Sequence, residues 1–126
     1  MTALTGFRVV ELASERIAFA GKLLADMGAD VILVEPPGGD PARSYPPFLD
    51  DVPGAERSLW WWHYNTSKRG VTLDLDSAEG AAQFKELVAS ADIVLESEPP
   101  RGPAAQQPRR VAGHGPARDL PLSGRC

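Results

Sequence analysis

Apolar residues fall along this chain in two alternating patterns. Residues 7–12, FRVVEL, form a short, β-branched apolar run of the kind that fills a strand buried on both faces. Residues 17–27, IAFAGKLLADM, are good helix formers, and Ala20, Leu23, Leu24 and Met27 recur at helical spacing along one face. Gly28 follows where a helix C-cap requires positive φ. Residues 30–35, DVILVE, are a second buried-strand run. Strand, helix and strand within about thirty residues predict a βαβ unit with a right-handed crossover.

A polar stretch rich in proline and glycine comes next, too broken for a long regular element and longer than ordinary connections. Loops of that length are functional or disordered. It ends in the apolar bulk of residues 58–65, SLWWWHYN. The rhythm then repeats. Val71, Leu73 and Leu75 alternate in a strand candidate over 70–75. Asp76 and Glu79 have capping-box spacing for a helix over 77–90, with Ala81, Phe84 and Leu87/Val88 on one face. Residues 91–96, ADIVLE, read as a last buried strand. Two such units predict an α/β fold: an open, mainly parallel sheet with flanking helices over residues 1–100. Residues 101–126 hold four Pro, four Gly and no aromatic residue, with Val111, Leu120 and Leu122 as the only sizeable aliphatics. So little apolar surface does not offset backbone ordering, and an irregular or disordered tail is expected.

Composition narrows the class without naming a function. No apolar run reaches the roughly 18–20 residues that cross a bilayer. The N-terminus lacks the basic and apolar regions of a secretory signal. Cys126 is the single cysteine, which excludes an intrachain disulfide or thiolate cluster. The expectation is a cytoplasmic protein with no membrane partner. The net charge of −4 hides an asymmetry. Residues 1–100 carry eight Lys/Arg against sixteen Asp/Glu, and residues 101–126 carry five Arg against one Asp. Five scattered arginines without lysines or aromatics fit a solvated tail better than a nucleic-acid arm, so no nucleic-acid partner is expected.

The usual nucleotide fingerprints are missing. The turn after the first strand has Gly21 alone and no G-x-G-x-x-G, and there is no P-loop. Ligands of open α/β sheets still gather beyond the C-terminal ends of the strands. Arg16 stands there, just before the first helix, where backbone N–H groups and the positive end of the dipole favour an anion. It suits a phosphate; a surface arginine paired with Glu15 or solvent fits the spacing as well. Lys68 and Arg69 follow a turn and fit either a phosphate pair or a basic pair flanking a strand. Trp60, Trp61, Trp62 and Tyr64 can stack on a purine, although such clusters more often pack into a core or an interface. His63 has no nucleophile or ligand partner at known spacing, His114 lies in the tail, and Asp50–Asp51 read as a solvated turn. No catalytic or metal-binding constellation emerges.

Taken in order, LLADMGADVILVEPPGGDPAR (residues 23–43), NTSKRGVTLDL (65–75) and ADIVLESEPP (91–100) resemble the start of the class III (CaiB/BaiF) CoA transferases, over residues 5–100. The resemblance implies a Rossmann-like domain holding the CoA nucleotide, within an interlocked homodimer of longer chains. It implies CoA or acyl-CoA as substrate, no covalently bound cofactor, and CoA transfer between carboxylic acids through intermediates on a catalytic Asp. That Asp lies beyond the similar region, and Asp119 has no matching context, so no catalytic residue is assigned. By the same resemblance Arg16 and Ile17 match the CoA-contacting loop after the first strand, and Leu73, Asp74, Leu75 and Asp76 the segment lining the adenine. Pro36, Asp76 and Ser97–Glu98–Pro99 depart from residues that contact CoA in some members, which leaves Arg16, Lys68 and Arg69 as the remaining cations. After Pro100 the family's helix and strand are replaced by the Arg/Pro/Gly/Ala-biased tail, as an out-of-frame reading would produce. The resulting expectation is an N-terminal CoA-transferase segment, inactive alone. Its rivals are a non-catalytic binding or assembly subunit completed by a partner chain, and a fragment of an α-methylacyl-CoA racemase-like enzyme.

Overall fold

The computed structural model describes residues 2–97. The expectations placed on Glu98, Pro99 and the 101–126 tail lie outside the described residues.

Strand β1 (Arg8–Leu12) is followed by helix α1 (Ala18–Asp26) and strand β2 (Asp30–Glu35). Helix α2 (Leu59–Tyr64), strand β3 (Arg69–Thr72), helix α3 (Ala78–Ala89) and strand β4 (Ile93–Leu95) complete the described chain. The four strands form one parallel sheet in the order β3-β2-β1-β4. β1 is therefore central, with Val10 paired to Ile32 on one side and to Val94 on the other.

Alternation along the strands divides the core in two. Val9, Val31, Ile93 and Leu95 pack with Leu24 and Ala25 of α1 on one face. Val10, Val34, Val71 and Val94 pack with Phe84, Leu87 and Val88 of α3 on the other. A parallel strand must satisfy both faces, which explains why β1 and β2 read as largely apolar runs. Gly28 closes α1 at φ +100, as the spacing predicts, and its N–H donates to the Ala25 carbonyl (3.0 Å).

Two local expectations need correction. β3 stops at Thr72 rather than residue 75, although Leu73 and Leu75 still reach the α3-side core. The ladder stops where β2 does: Thr72 pairs with Glu35, whose carbonyl accepts the Leu73 N–H (3.0 Å), and the next residue facing β3, Pro37, has no N–H to contribute. Asp76 is not the N-cap of α3. The Asp74 carboxylate accepts the Asp76 N–H (3.0 Å) in a local turn, and Ser77 caps instead, its Oγ accepting from Gly80 N (2.9 Å). A Cβ on Gly80 would collide with the Asp74 carbonyl, so this turn also requires a bare α-carbon. The aromatic run, to which the sequence assigned no element, is helical, capped by Ser58 Oγ, which accepts from Trp61 N (3.1 Å) and donates to the Tyr45 carbonyl (2.7 Å).

The long connection after β2 is held in place. Arg43 donates twice to Glu35 (2.7 Å each), lies 3.6 Å over the Trp61 ring, and reaches the Ala55 carbonyl (3.0 Å). Asp40 accepts from Ala42 N (3.0 Å) to start a 3₁₀ turn over Pro41–Ser44.

Two substitutions check these assignments by urea denaturation followed by circular dichroism. Leu33→Ala, at a fully buried β2 position, is expected to cost about 2–5 kcal/mol. Gly80→Ala is expected to cost about 1–3 kcal/mol despite alanine's better helix propensity; a neutral or stabilising effect would show that Asp74 does not approach that closely.

Candidate functional site

In the order β3-β2-β1-β4, chain progression turns from one direction to the other between β1 and β4. A crevice forms beyond the C-terminal ends of strands at such a switch point. Here that position lies between the β1–α1 loop and the residues after β4. The two sides are joined where Ser97 Oγ donates to Ser14 Oγ (2.8 Å), and Arg16 N also donates to Ser14 Oγ (3.3 Å).

Arg16 is exposed at this place, and no hydrogen bond or ion pair engages its guanidinium among the described residues. Ile17 is the N-cap of α1 and offers no capping side chain, so the first-turn N–H groups that a Ser or Asp would satisfy lack that partner. The Ile17 side chain is buried and serves the core. A cation and an uncapped helix start together favour an anion.

The other sequence-predicted residues separate. Leu73 is buried, with its N–H on the Glu35 carbonyl (3.0 Å), and Leu75 packs in the α3-side core. Asp74 is exposed at the same end of the sheet. Arg69 is not brought to the Arg16 loop, and Lys68 meets it only from the buried side, at the Ala18 carbonyl (2.9 Å). Arg69 begins β3 at the N-terminal edge of the sheet, about 10 Å of strand from its C-terminal end. There it donates to both Asp30 oxygens (2.8 and 2.7 Å), which also receive Arg8 (2.9 Å).

Lys68 turns inward. Its side chain is 1% exposed and its three ammonium protons face Glu11 Oε1 (3.0 Å), the Ala18 carbonyl (2.9 Å) and Asn65 Oδ1 (2.9 Å). No donor is left for a phosphate. Its partner Glu11, 0% exposed on the α1 face of β1, escaped the sequence reading. The one available signal was an acidic residue inside an apolar buried-strand run. Gly21 of α1 sits directly against the Glu11 carboxyl, and any Cβ there would collide with it. Burial raises the Glu11 pKa to about 7, against the opposing pull of Lys68, and burial lowers that of Lys68.

The aromatic residues divide as well. Trp60 contacts Tyr45 and Tyr64 (centroids 5.2 and 4.4 Å), Trp61 lies under Arg43, and Trp62 stays 40% exposed. Among the described residues no cluster of three or more His, Cys, Asp or Glu could hold a metal ion, and no helix is long and apolar enough to cross a membrane.

An open parallel sheet with helices on both faces and a switch point beside its first strand defines the doubly wound α/β class. Within it, the model of CoA-transferase family III matches residues 4–107, and the chain belongs to that family. It is 46% identical over 98 residues to the succinate–glutarate CoA-transferase of Agrobacterium fabrum, covering 75% of this chain and 24% of that protein. It is 42% identical over 91 residues to a subunit of the succinyl-CoA:(R)-benzylsuccinate CoA-transferase of Thauera aromatica, covering 72% and 22%. A crystal structure of a CaiB/BaiF family protein from Brucella suis superposes with a TM-score of 0.67 at 45% identity, covering 75% of this chain and 25% of that one. The chain thus spans about a quarter of the length of these relatives.

The buried pair gives a pH-dependent expectation. Glu11 has a folded value of about 7 against 4.5 for a free carboxyl. Between these values the fold binds more protons at Glu11 than the unfolded chain does, so the Glu11 contribution to stability falls as pH rises through that window. Lys68→Met removes the interaction that opposes this shift. The variant is expected to lose about 3–5 kcal/mol at pH 8 and clearly less at pH 5, where Glu11 is neutral in the fold. A loss equal at both pH values in urea titrations would contradict the pairing.

Proposed function

We propose that these residues form the CoA-phosphate-holding portion of an enzyme that transfers CoA between carboxylic acids. The observation that carries this reading is Arg16: an exposed guanidinium beside an uncapped helix start, at the switch point of a parallel sheet. That arrangement suits a phosphate or pyrophosphate, and relatives at 42–46% identity are named as CoA transferases. Leu73 and Leu75 shape the same end of the sheet from within the core, and contacts to the adenine would come from their backbone and from Asp74. Such transfer also requires a carboxylate nucleophile and donors for the developing oxyanion, and no described side chain is arranged for either role. On this reading the described residues bind CoA and do not by themselves supply the chemistry of transfer.

A second reading, a binding or assembly subunit, is favoured by a different observation. Phe19, Leu23 and Met27 form an exposed apolar stripe at i, i+4 and i+8 of α1, and Trp62 of α2 is exposed as well. One relative, from Chloroflexus aurantiacus, is named as the beta subunit of a succinyl-CoA–L-malate CoA-transferase. Co-purification with one stoichiometric partner would favour this reading.

Titration calorimetry with CoA tests the first reading, with circular dichroism as the folding control. Arg16→Ala is expected to weaken CoA binding about tenfold or more, the scale of one lost charge-assisted hydrogen bond, with an unchanged spectrum. Binding unaffected by the substitution removes Arg16 from the site. CoA transfer by the purified chain above a no-protein control would refute the claim that binding is all these residues supply.

A further inference from the structure

Lys68 is chemically over-committed for a residue that merely neutralises Glu11. Only one of its three donors has the counter-ion as hydrogen-bond acceptor; the others go to the Ala18 carbonyl and to Asn65. Ala18 opens α1, one residue after Ile17 and two after Arg16, and its N–H donates back to the Ser14 carbonyl (3.1 Å). Asn65 is the C-cap of α2, and its Nδ2 donates to the Trp61 carbonyl (2.9 Å). Lys68 therefore joins three separate segments at one nitrogen: central strand β1, the first turn of α1, and the end of α2. Gly21 lets α1 close down on this point. A second cross-tie runs parallel to it, from Lys22 of α1 to Thr66 (2.8 Å).

We propose that Lys68 is a positioning residue for the Arg16 loop: without touching ligand, it fixes the start of α1 against β1 and so presents Arg16 and the uncapped N–H groups to an anion. The affinity part of this inference rests on the CoA-binding reading above; the positional part does not. A lysine reaching a phosphate would need an unengaged donor and a path to solvent, and Lys68 has neither.

The test uses the full chain with Glu11→Leu/Lys68→Met, which replaces both buried charges by apolar groups and avoids leaving an unpaired ion. In amide hydrogen exchange, residues 16–19 are expected to exchange at least about tenfold faster than in the unsubstituted chain, while the strand amides of Val10 and Val31 keep their rates. CoA affinity by calorimetry is expected to fall about tenfold, the scale of losing a supporting contact behind a binding group. Arg16→Ala, costly in the unsubstituted chain, is then expected to cost less than about twofold in the double variant, because the loop it acts from is already displaced.

Unchanged exchange at 16–19 overturns the proposal, as does faster exchange with full CoA affinity, or a full Arg16→Ala cost in the double variant. If the unsubstituted chain does not bind CoA, the reading of function fails, and exchange at 16–19 alone decides the positioning role. Should the double variant not fold, Asn65→Leu removes one of the three acceptors while keeping the ion pair. It carries the same expectations with smaller effects.

Discussion

A carboxylate and an ammonium shut away from water constrain this fold more than any other contact. Taking two charges out of water costs several kcal/mol each, and their attraction compensates only when geometry and further hydrogen bonds are in place. Glu11 and Lys68 meet those conditions through Asn65 and the Ala18 carbonyl, and only because α1 carries glycine at position 21. Glu11 Oε1 is the hydrogen-bonded oxygen; Oε2 lies 2.9 Å from Nζ without hydrogen-bond geometry, so the pair is held close but not saturated. Such a pair contributes little net stability compared with an apolar core. It does specify arrangement: any packing of α1 or α2 that moves these groups apart leaves a buried charge alone.

The same logic repeats further along the sheet. Glu35 ends β2 as Glu11 approaches the end of β1, and both carboxylates are nearly removed from solvent. Glu35 takes two hydrogen bonds from Arg43, which together with the Asp40 N–H hold its pKa below the ordinary carboxylate value. The contrast is instructive. A guanidinium fork saturates a carboxylate and keeps it ionised, whereas a single ammonium shared three ways leaves Glu11 with burial as the dominant influence. Arg43 thereby orders a long loop with few apolar residues, its guanidinium lying flat on Trp61 and its far end on the Ala55 carbonyl.

What could be read from the chain alone follows from the range of each interaction. β1, β2 and the extent of α1 were legible because their signals are local: β-branched runs, good helix formers, and a glycine where positive φ is needed. The packed face of α1 was not, since Leu23 and Met27 of the apolar stripe are exposed while the small residues Ala18, Gly21 and Ala25 are buried. Nor was the end of β3, since it depends on where β2 runs into Pro36 and Pro37. The α3 cap shifted by one residue because an Asp74 turn takes the Asp76 N–H that the capping box would use. The helical aromatic run was obscured by its setting, between a proline-rich loop and a turn, with Ser58 supplying the cap. Most of the site was less legible. Lys68 meets Glu11 across 57 positions of sequence, and a lysine before a strand carries no mark that it points inward.

These placements alter the electrostatics expected of a polyphosphate site. Three cations appeared available from sequence; the fold commits Lys68 to Glu11 and Arg69 to Asp30, on the far edge of the sheet. Among the described residues, Arg16 keeps an exposed guanidinium at the C-terminal ends of the strands, and Asp74 lies exposed just beyond β3. A site with so few side-chain cations depends on backbone dipoles, and dipoles act only over about one helical turn. Their value as ligands therefore rests on how firmly the first turn of α1 is held. In this structure that turn is held from beneath by Lys68, whose ammonium ties the Ala18 carbonyl at the start of α1 to Glu11 of β1 and Asn65 at the end of α2.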